Sequence, residues 1–182
     1  MEDRQTRLQN KIGPEIQELK EHCRTVMLAT VDESGQPNVS YAPFVLNDRG
    51  YYVFISDIAR HARNLKGNPK VSLMLIEDEE KSRQIFARRR LSFDAAVEVV
   101  PFGCDEWHSG TQALRERHGE VMEHLMKMQD FTLFNLIPEK GLFVKGFGQA
   151  FQVDPNDLVG MVHLDQGHLA RDERGHNKRE SV

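Results

Sequence analysis

Cysteine is scarce in this chain: Cys23 and Cys104 are the only two among 182 residues, and they form no CxxC pair. That excludes a disulfide-stapled scaffold and a zinc ribbon, and it fits a reducing compartment. Basic charge is not in excess either. The chain has 24 Lys and Arg against 28 Asp and Glu, a net charge of -4, so no nucleic-acid partner is expected. Long hydrophobic runs are also missing. None approaches the ~20 residues that a helical membrane span needs, so no membrane insertion is expected. The opening Met1-Glu-Asp-Arg-Gln-Thr-Arg-Leu8 is charged and has no apolar core, unlike a secretory signal. A cytoplasmic location is the expectation. There is no internal repeat and no low-complexity segment. What remains is ordinary soluble-domain composition, 39% hydrophobic and 29% charged, at a length that suits one domain with a sizeable core.

The pattern along the chain predicts mostly short strands. Pro14 to Cys23 reads as a helix with Pro14 in its first turn. Thr25–Val31 is a short apolar, β-branched run, followed by the turn Asp32-Glu-Ser-Gly35 and a strand at Pro37–Phe44. Asn47-Asp-Arg-Gly50 is a second turn before the strand Tyr51–Ile55. Ile58–Leu65 has the spacing of a short helix ended by Gly67. Val71–Ile76 reads as a buried strand and Glu77–Arg83 as a charged, exposed connection. Ile85–Val100 is long for one strand, which predicts a bend or bulge around Arg88-Arg-Arg90. Cys104–Met128 reads as one helix, with Leu114, Val121 and Leu125 at helical spacing. Phe131–Phe134 and Leu142–Val153 supply the last strands, with Gly146 and Gly148 marking a bend or close approach. Strands joined mostly by tight turns imply an antiparallel barrel with flanking helices, not a doubly wound parallel sheet. Residues 1–182 are expected to form one domain: a helix within 1–24, a barrel with inserted helices over 25–153, and a C-terminal segment and tail over 154–182.

Past the last strand-like run lies Val162-His-Leu-Asp-Gln-Gly-His168. Gly167 lets the backbone turn sharply and present the His168 ring. A neutral imidazole is a good ligand for iron, copper or zinc. Taken alone, an exposed tail histidine is the better reading. His163 reads as a supporting or solvent-facing residue, and His176 lies in a charged tail. Asp130 follows the long helix, where a turn or capping aspartate is ordinary. Arg88, Arg89 and Arg90 alternate faces on a strand, so only some of them can point into a site. Trp107, Phe131 and Phe134 read as core.

Seven stretches carry a family resemblance in order along nearly the whole chain. They are Leu28–Val31, Pro37–Phe44, Ile58–Leu65, Phe86–Leu91, Gln129-Asp-Phe131, Gly141–Ala150 and Val162–His168. The chain resembles the haem-utilisation proteins of the HutZ and HugZ type, within the FMN-binding split-barrel superfamily that also holds pyridoxamine phosphate oxidases. The early motifs are shared by split barrels at large; the Gln-Asp-Phe and Gly-His pieces belong to the haem subgroup. The resemblance implies a homodimer of antiparallel split barrels with haem at the subunit interface, making residues 154–182 a haem-binding segment and tail. It implies His168 as the axial iron ligand and Asp130 as the carboxylate that hydrogen-bonds His168 across the interface. That pairing agrees with metal-site chemistry, in which a bound imidazole donates its other N–H to a carboxylate or carbonyl. Arg90 matches a pocket arginine that could meet a propionate or the distal oxygen ligand, since a guanidinium forks onto carboxylates. Arg60, His61 and Arg63 occupy the region that contacts phosphate in flavin-binding relatives, so they could hold a propionate, a flavin phosphate or neither; His61 also reads as a core or capping histidine. The implied activity is haem oxygenase-like, for iron acquisition. Haem is substrate and cofactor, O2 and electrons from an unidentified donor are consumed, and iron, carbon monoxide and a biliverdin are released. The alternatives are an FMN-dependent oxidoreductase on the same barrel and a non-enzymatic haem carrier or storage protein.

Overall fold

The computed structural model describes residues 3–161, 169–171 and 177–179. Helix α1 (Arg4–His22) places Ile12, Ile16 and Leu19 on one buried face. The stripe extends back to Leu8, which packs on the same core. It therefore starts ten residues before the predicted Pro14, and Pro14 sits inside it. A proline there forfeits one helical hydrogen bond. The apolar stripe on both sides of it holds the helix together.

Strands β1 (Thr25–Val31), β2 (Pro37–Asn47) and β3 (Gly50–Ser56) form a meander. Helix α2 (Arg60–Gly67) leads to β4 (Lys70–Ile76), which pairs with β1 on the side away from β2. Two 3₁₀ turns, Glu79–Lys81 and Ile85–Ala87, fill the charged connection to β5 (Arg90–Val100). Helices α3 (Asp105–His118) and α4 (Val121–Leu125) replace the single helix expected over Cys104–Met128. The break is at Gly119, whose φ of 88° suits glycine and ends α3. Strand β6 (Phe131–Gly146) then runs without interruption through the stretch read as two separate strands. A turn at 147–148 returns the chain as β7 (Gln149–Val153), and β8 (Val159–Met161) adds the edge. A separate antiparallel pair joins β9 (Leu169–Arg171) to β10 (Asn177–Arg179).

The main sheet runs β3-β2-β1-β4-β5-β6-β7-β8, and β3 also pairs with β6. That extra pairing closes β1 to β6 into a six-stranded antiparallel barrel, as the turn-linked strands predicted. Strand β6 is the seam. Its first half pairs with β3, its second half with β7, and its whole length with β5. The bend predicted around Arg88–Arg90 is there: the 3₁₀ turn Ile85–Ala87 and residues 88–89 precede β5, which begins only at Arg90. A second irregularity, not predicted, is a register shift opposite Asp94 and Ala95. Ala95 faces Pro138 and Asp94 faces Lys140, so Glu139 is the extra residue. Pro138 has no N–H to give the ladder, and a bulge is where a strand tolerates proline.

Inward residues alternate with outward ones on every barrel strand. Val26, Leu28, Phe44, Tyr51, Leu73, Phe93 and Phe134 fill the interior, and the apolar stripe of α1 closes it. Strand β3 is buried on both faces. Its outward Tyr52 and Phe54 lie under Trp107, Leu114 and Met122 of α3 and α4. Burying a side chain of this size is worth ~1.5–3 kcal/mol, and β3 gains this on both of its faces. On the outward face of β1 and β2, Val45 packs under α3 and α4, but among the described residues no helix covers Met27, Val39 and Tyr41, which are 36%, 69% and 67% exposed. Among the described residues, no helix is long and apolar enough to cross a membrane.

Candidate functional site

The three arginines at the start of β5 have different surroundings. Arg88 donates from Nε to the Glu77 carbonyl at 2.9 Å and from Nη1 to Glu79 at 3.0 Å. Arg89 donates from Nε to the Glu77 carboxylate at 2.9 Å and from Nη1 to Glu18 at 2.9 Å. Both are thereby engaged in fastening the 3₁₀ turns to β4 and α1. Arg90 pairs in register with Ile76 and Val144 and shares the outward phase of β5 with Ser92. Its side chain makes no hydrogen bond or ion pair with another described residue. Its half-buried guanidinium is the member of the trio that can serve a ligand.

A cleft of about 570 Å³ lies beside this outward face. Leu19, Met27, Tyr41, Met74 and Ile76 give it apolar walls, and basic Arg24, Lys81 and Arg89 alternate around them with acidic Glu18, Glu77 and Asp78. An apolar floor with a few polar groups at its edge is the usual make-up of a small-molecule site. Cys23 also lines it. Its thiol faces the Ile76 carbonyl, and burial pushes its pKa up, so it is a poor nucleophile. The sequence reading missed this cleft. Its signal was available: apolar side chains occupy both phases of Thr25–Val31, and no helix-forming segment remains to cover the second face.

Asp130 stands at the opposite end of the β5–β6 pair. Its backbone carbonyl accepts from the Asp57 N–H at 2.7 Å, and its Oδ2 accepts from Ser56 Oγ at 3.2 Å. These bonds tie the start of β6 to the end of β3. The carboxylate is half-buried, and the Ser56 bond is its only side-chain bond among the described residues, so acceptor capacity is left for an incoming N–H. Neighbouring Asp57 accepts from Lys66 and Thr132, each at 2.7 Å. Burial pushes the Asp57 carboxyl up, but those two bonds outweigh it and hold the pKa below the usual carboxylate range. Ser56, Asp57 and Thr132 thus support Asp130. Only the β3–β6 register brings them together, which sequence spacing does not reveal.

The basic residues of α2 do not converge on one point. Arg60 donates to Asp32 at 3.0 Å, Arg63 donates back to the Ile58 carbonyl, and His61 Nδ1 lies 2.7 Å from Ser40 Oγ. Burial lowers the His61 pKa, so its ring is held neutral. A phosphate or propionate here would have to displace Asp32 from Arg60. Phe131 and Phe134 pack into the hydrophobic clusters, as does Trp107. His163, His168 and His176 lie outside the described residues.

In comparison with known proteins, the pyridoxamine 5'-phosphate oxidase family model matches residues 12–145. The heme oxygenase HutZ of Vibrio cholerae is 55% identical over 165 residues, which cover 91% of this chain and 94% of that protein. A crystal structure of HutZ, described as the heme storage protein from Vibrio cholerae, superposes with a TM-score of 0.71 at 54% identity. The match covers 74% of this chain and 94% of that one. The crystal structure of Campylobacter jejuni ChuZ gives a TM-score of 0.80 at 30% identity over 92% of this chain and 68% of its own. The chain therefore belongs to the pyridoxamine 5'-phosphate oxidase family of split barrels, on the branch that includes HutZ.

Proposed function

We propose that this protein binds haem between two copies of its barrel and degrades it with O2 and an external reductant, releasing iron, carbon monoxide and biliverdin. The observation that carries this reading is the 55% identity, over 91% of the chain, to a heme oxygenase. The geometry supports a shared site. Arg90 pairs with Val144 at one end of β6 and Asp130 precedes Phe131 at the other; Phe131 and Val144 are 13 residues apart, roughly 40 Å of strand. One chain therefore does not bring Arg90 and Asp130 to one haem, whereas two chains meeting on their uncovered outward faces could. In this reading His168 holds the iron. Asp130 of the facing chain accepts the remaining N–H of that imidazole, which fixes its tautomer and raises its basicity. Arg90 offers a forked donor to a propionate or to the O2 side of the ring. The bond-breaking chemistry belongs to iron and O2; the chain orients the ring and excludes water.

Storage without turnover is the second reading, favoured by the description of the HutZ crystal structure as a heme storage protein. A flavin oxidoreductase is the less supported reading, because Arg60 and Arg63 of α2 are already engaged with Asp32 and the Ile58 carbonyl. One experiment separates the three. The purified protein is titrated with haem, then given ascorbate under air. Loss of the Soret band with release of chelatable iron supports degradation. A Soret band that persists supports storage. A yellow protein whose spectrum ignores haem supports the flavin reading.

A further inference from the structure

Beyond β7 the chain makes a tight loop before β8. Asp154 Oδ1 accepts the N–H groups of Asn156 at 2.8 Å and Leu158 at 2.9 Å. Asp157 N–H donates to the Asp154 carbonyl at 3.0 Å. Asp157 itself has φ 61°, and among the described residues it is the one non-glycine with positive φ. Such a residue persists only where its surroundings hold it. Here helix α1 holds it. The Lys20 ammonium lies 2.5 and 2.6 Å from the two carboxylate oxygens of Asp157, and Gln17 donates to Oδ2 at 2.7 Å. The Lys20 side chain is 7% exposed and that of Asp157 19%. The ammonium also sits 6.0 and 5.8 Å from the ring centres of Tyr51 and Phe93.

Two glutamines complete the attachment. Gln9 donates to the Asp157 carbonyl at 3.0 Å and accepts from Val159 N–H at 2.8 Å, so its amide pairs with the edge of β8 as a neighbouring strand would. Gln5 donates to the Val159 carbonyl at 2.5 Å. Four side chains of one helix therefore grip a loop and a three-residue strand. A largely buried ion pair gains little stability over apolar residues of the same size. What it does supply is one defined arrangement of the parts it joins. The part joined here is the last strand of the main sheet before the segment that carries His168. Met161 and His168 are seven residues apart, a reach of at most ~25 Å, so the clamp fixes one end of the segment that carries His168.

We propose that Lys20, Asp157, Gln9 and Gln17 form a positioning clamp for the ligand-bearing segment, so that α1 controls haem ligation without touching haem. This rests on His168 being the axial ligand. The test uses the full chain and haem itself, in four forms: wild type, Asp157→Asn, His168→Ala and the double variant. Asparagine tolerates the same backbone conformation but removes the charge that Lys20 grips. Each form is checked by far-ultraviolet circular dichroism, then titrated with haem while the Soret and charge-transfer bands are followed. Asp157→Asn should bind haem about tenfold more weakly, within the range seen when a residue supporting a metal ligand is lost, and should alter the bands of the histidine-ligated form. In the His168→Ala background it should add nothing. Equal weakening by Asp157→Asn with and without His168 would show general damage and overturn the clamp's role. So would wild-type affinity and spectrum in Asp157→Asn when His168→Ala has lost the histidine-ligated spectrum. If His168→Ala keeps the wild-type spectrum, the ligand assignment fails and the clamp's role falls with it, a result distinct from the other two. Should Asp157→Asn fail to fold, Gln9→Leu removes two tethers without uncovering a charge and carries the same expectations.

Discussion

At the scale of the residue, Asp130 and His61 show how environment decides role. Asp130 combines a backbone fixed by Asp57 with a carboxylate that still has acceptor capacity, which suits it to tune a partner imidazole. Asp130→Asn should keep haem binding and slow turnover, because an amide oxygen accepts the same hydrogen bond but carries no charge to strengthen the ligand; unchanged turnover in a haem-and-ascorbate assay would remove that role. His61 is a different kind of histidine. Burial depresses its pKa, so the unfolded chain takes up a proton, near pH 6.5, before the folded one does. Its contribution to stability is full above that pH and declines as pH falls toward the folded value. Wild type should therefore lose stability from pH 7 to pH 5, and His61→Gln should lose less over the same window in urea melts. The residue types at Arg90, Asp130 and His61 could be read from the sequence. Their partners could not: Ser56 reaches Asp130, and Ser40 reaches His61, only through strand register and the packing of α2.

At the scale of the element, β1 has the bounds expected for Thr25–Val31, because a β-branched apolar run between a helix and a tight turn has few alternatives. The sequence misled at β6. Pro138-Glu-Lys-Gly141 looks like an interruption, yet the chain stays extended by placing the proline at a bulge. Gly141 is part of that device. A Cβ there would lie 2.4 Å from Phe93 Cε1 and 2.9 Å from the Val153 carbonyl. Relieving both clashes requires backbone movement in a packed wall. Gly141→Val should cost about 2 kcal/mol or more by chemical denaturation, and a variant as stable as wild type would contradict this packing. The arginine run shows the same limit of legibility. Three identical neighbours became two structural residues and one guanidinium without a partner among the described residues, a division made by Glu77 and Glu79 after β4 and Glu18 in α1.

At the scale of the whole molecule, strand count and turn spacing were enough to anticipate the barrel, whereas the closing β3–β6 pair and the cleft built from four segments depend on contacts distant in sequence. In the proposed shared site, the exposed face around Met27, Val39 and Tyr41 is where the second chain would sit. Val39 lies on that face, 69% exposed and paired with Ala29. Val39→Asp should leave the barrel folded, shift the protein to monomer in sedimentation and weaken haem binding; an intact dimer would place the interface elsewhere. The central claim is that one haem is degraded by His168 of one chain and Asp130 of the other. A purified heterodimer of a His168→Ala chain and an Asp130→Asn chain tests it, loaded with haem and given ascorbate under air. Two-fold symmetry leaves that heterodimer one intact site, so it should degrade haem at about half the wild-type rate while both variant homodimers fall well below it. A heterodimer no faster than the variant homodimers, or wild type that leaves the Soret band intact, would contradict the account.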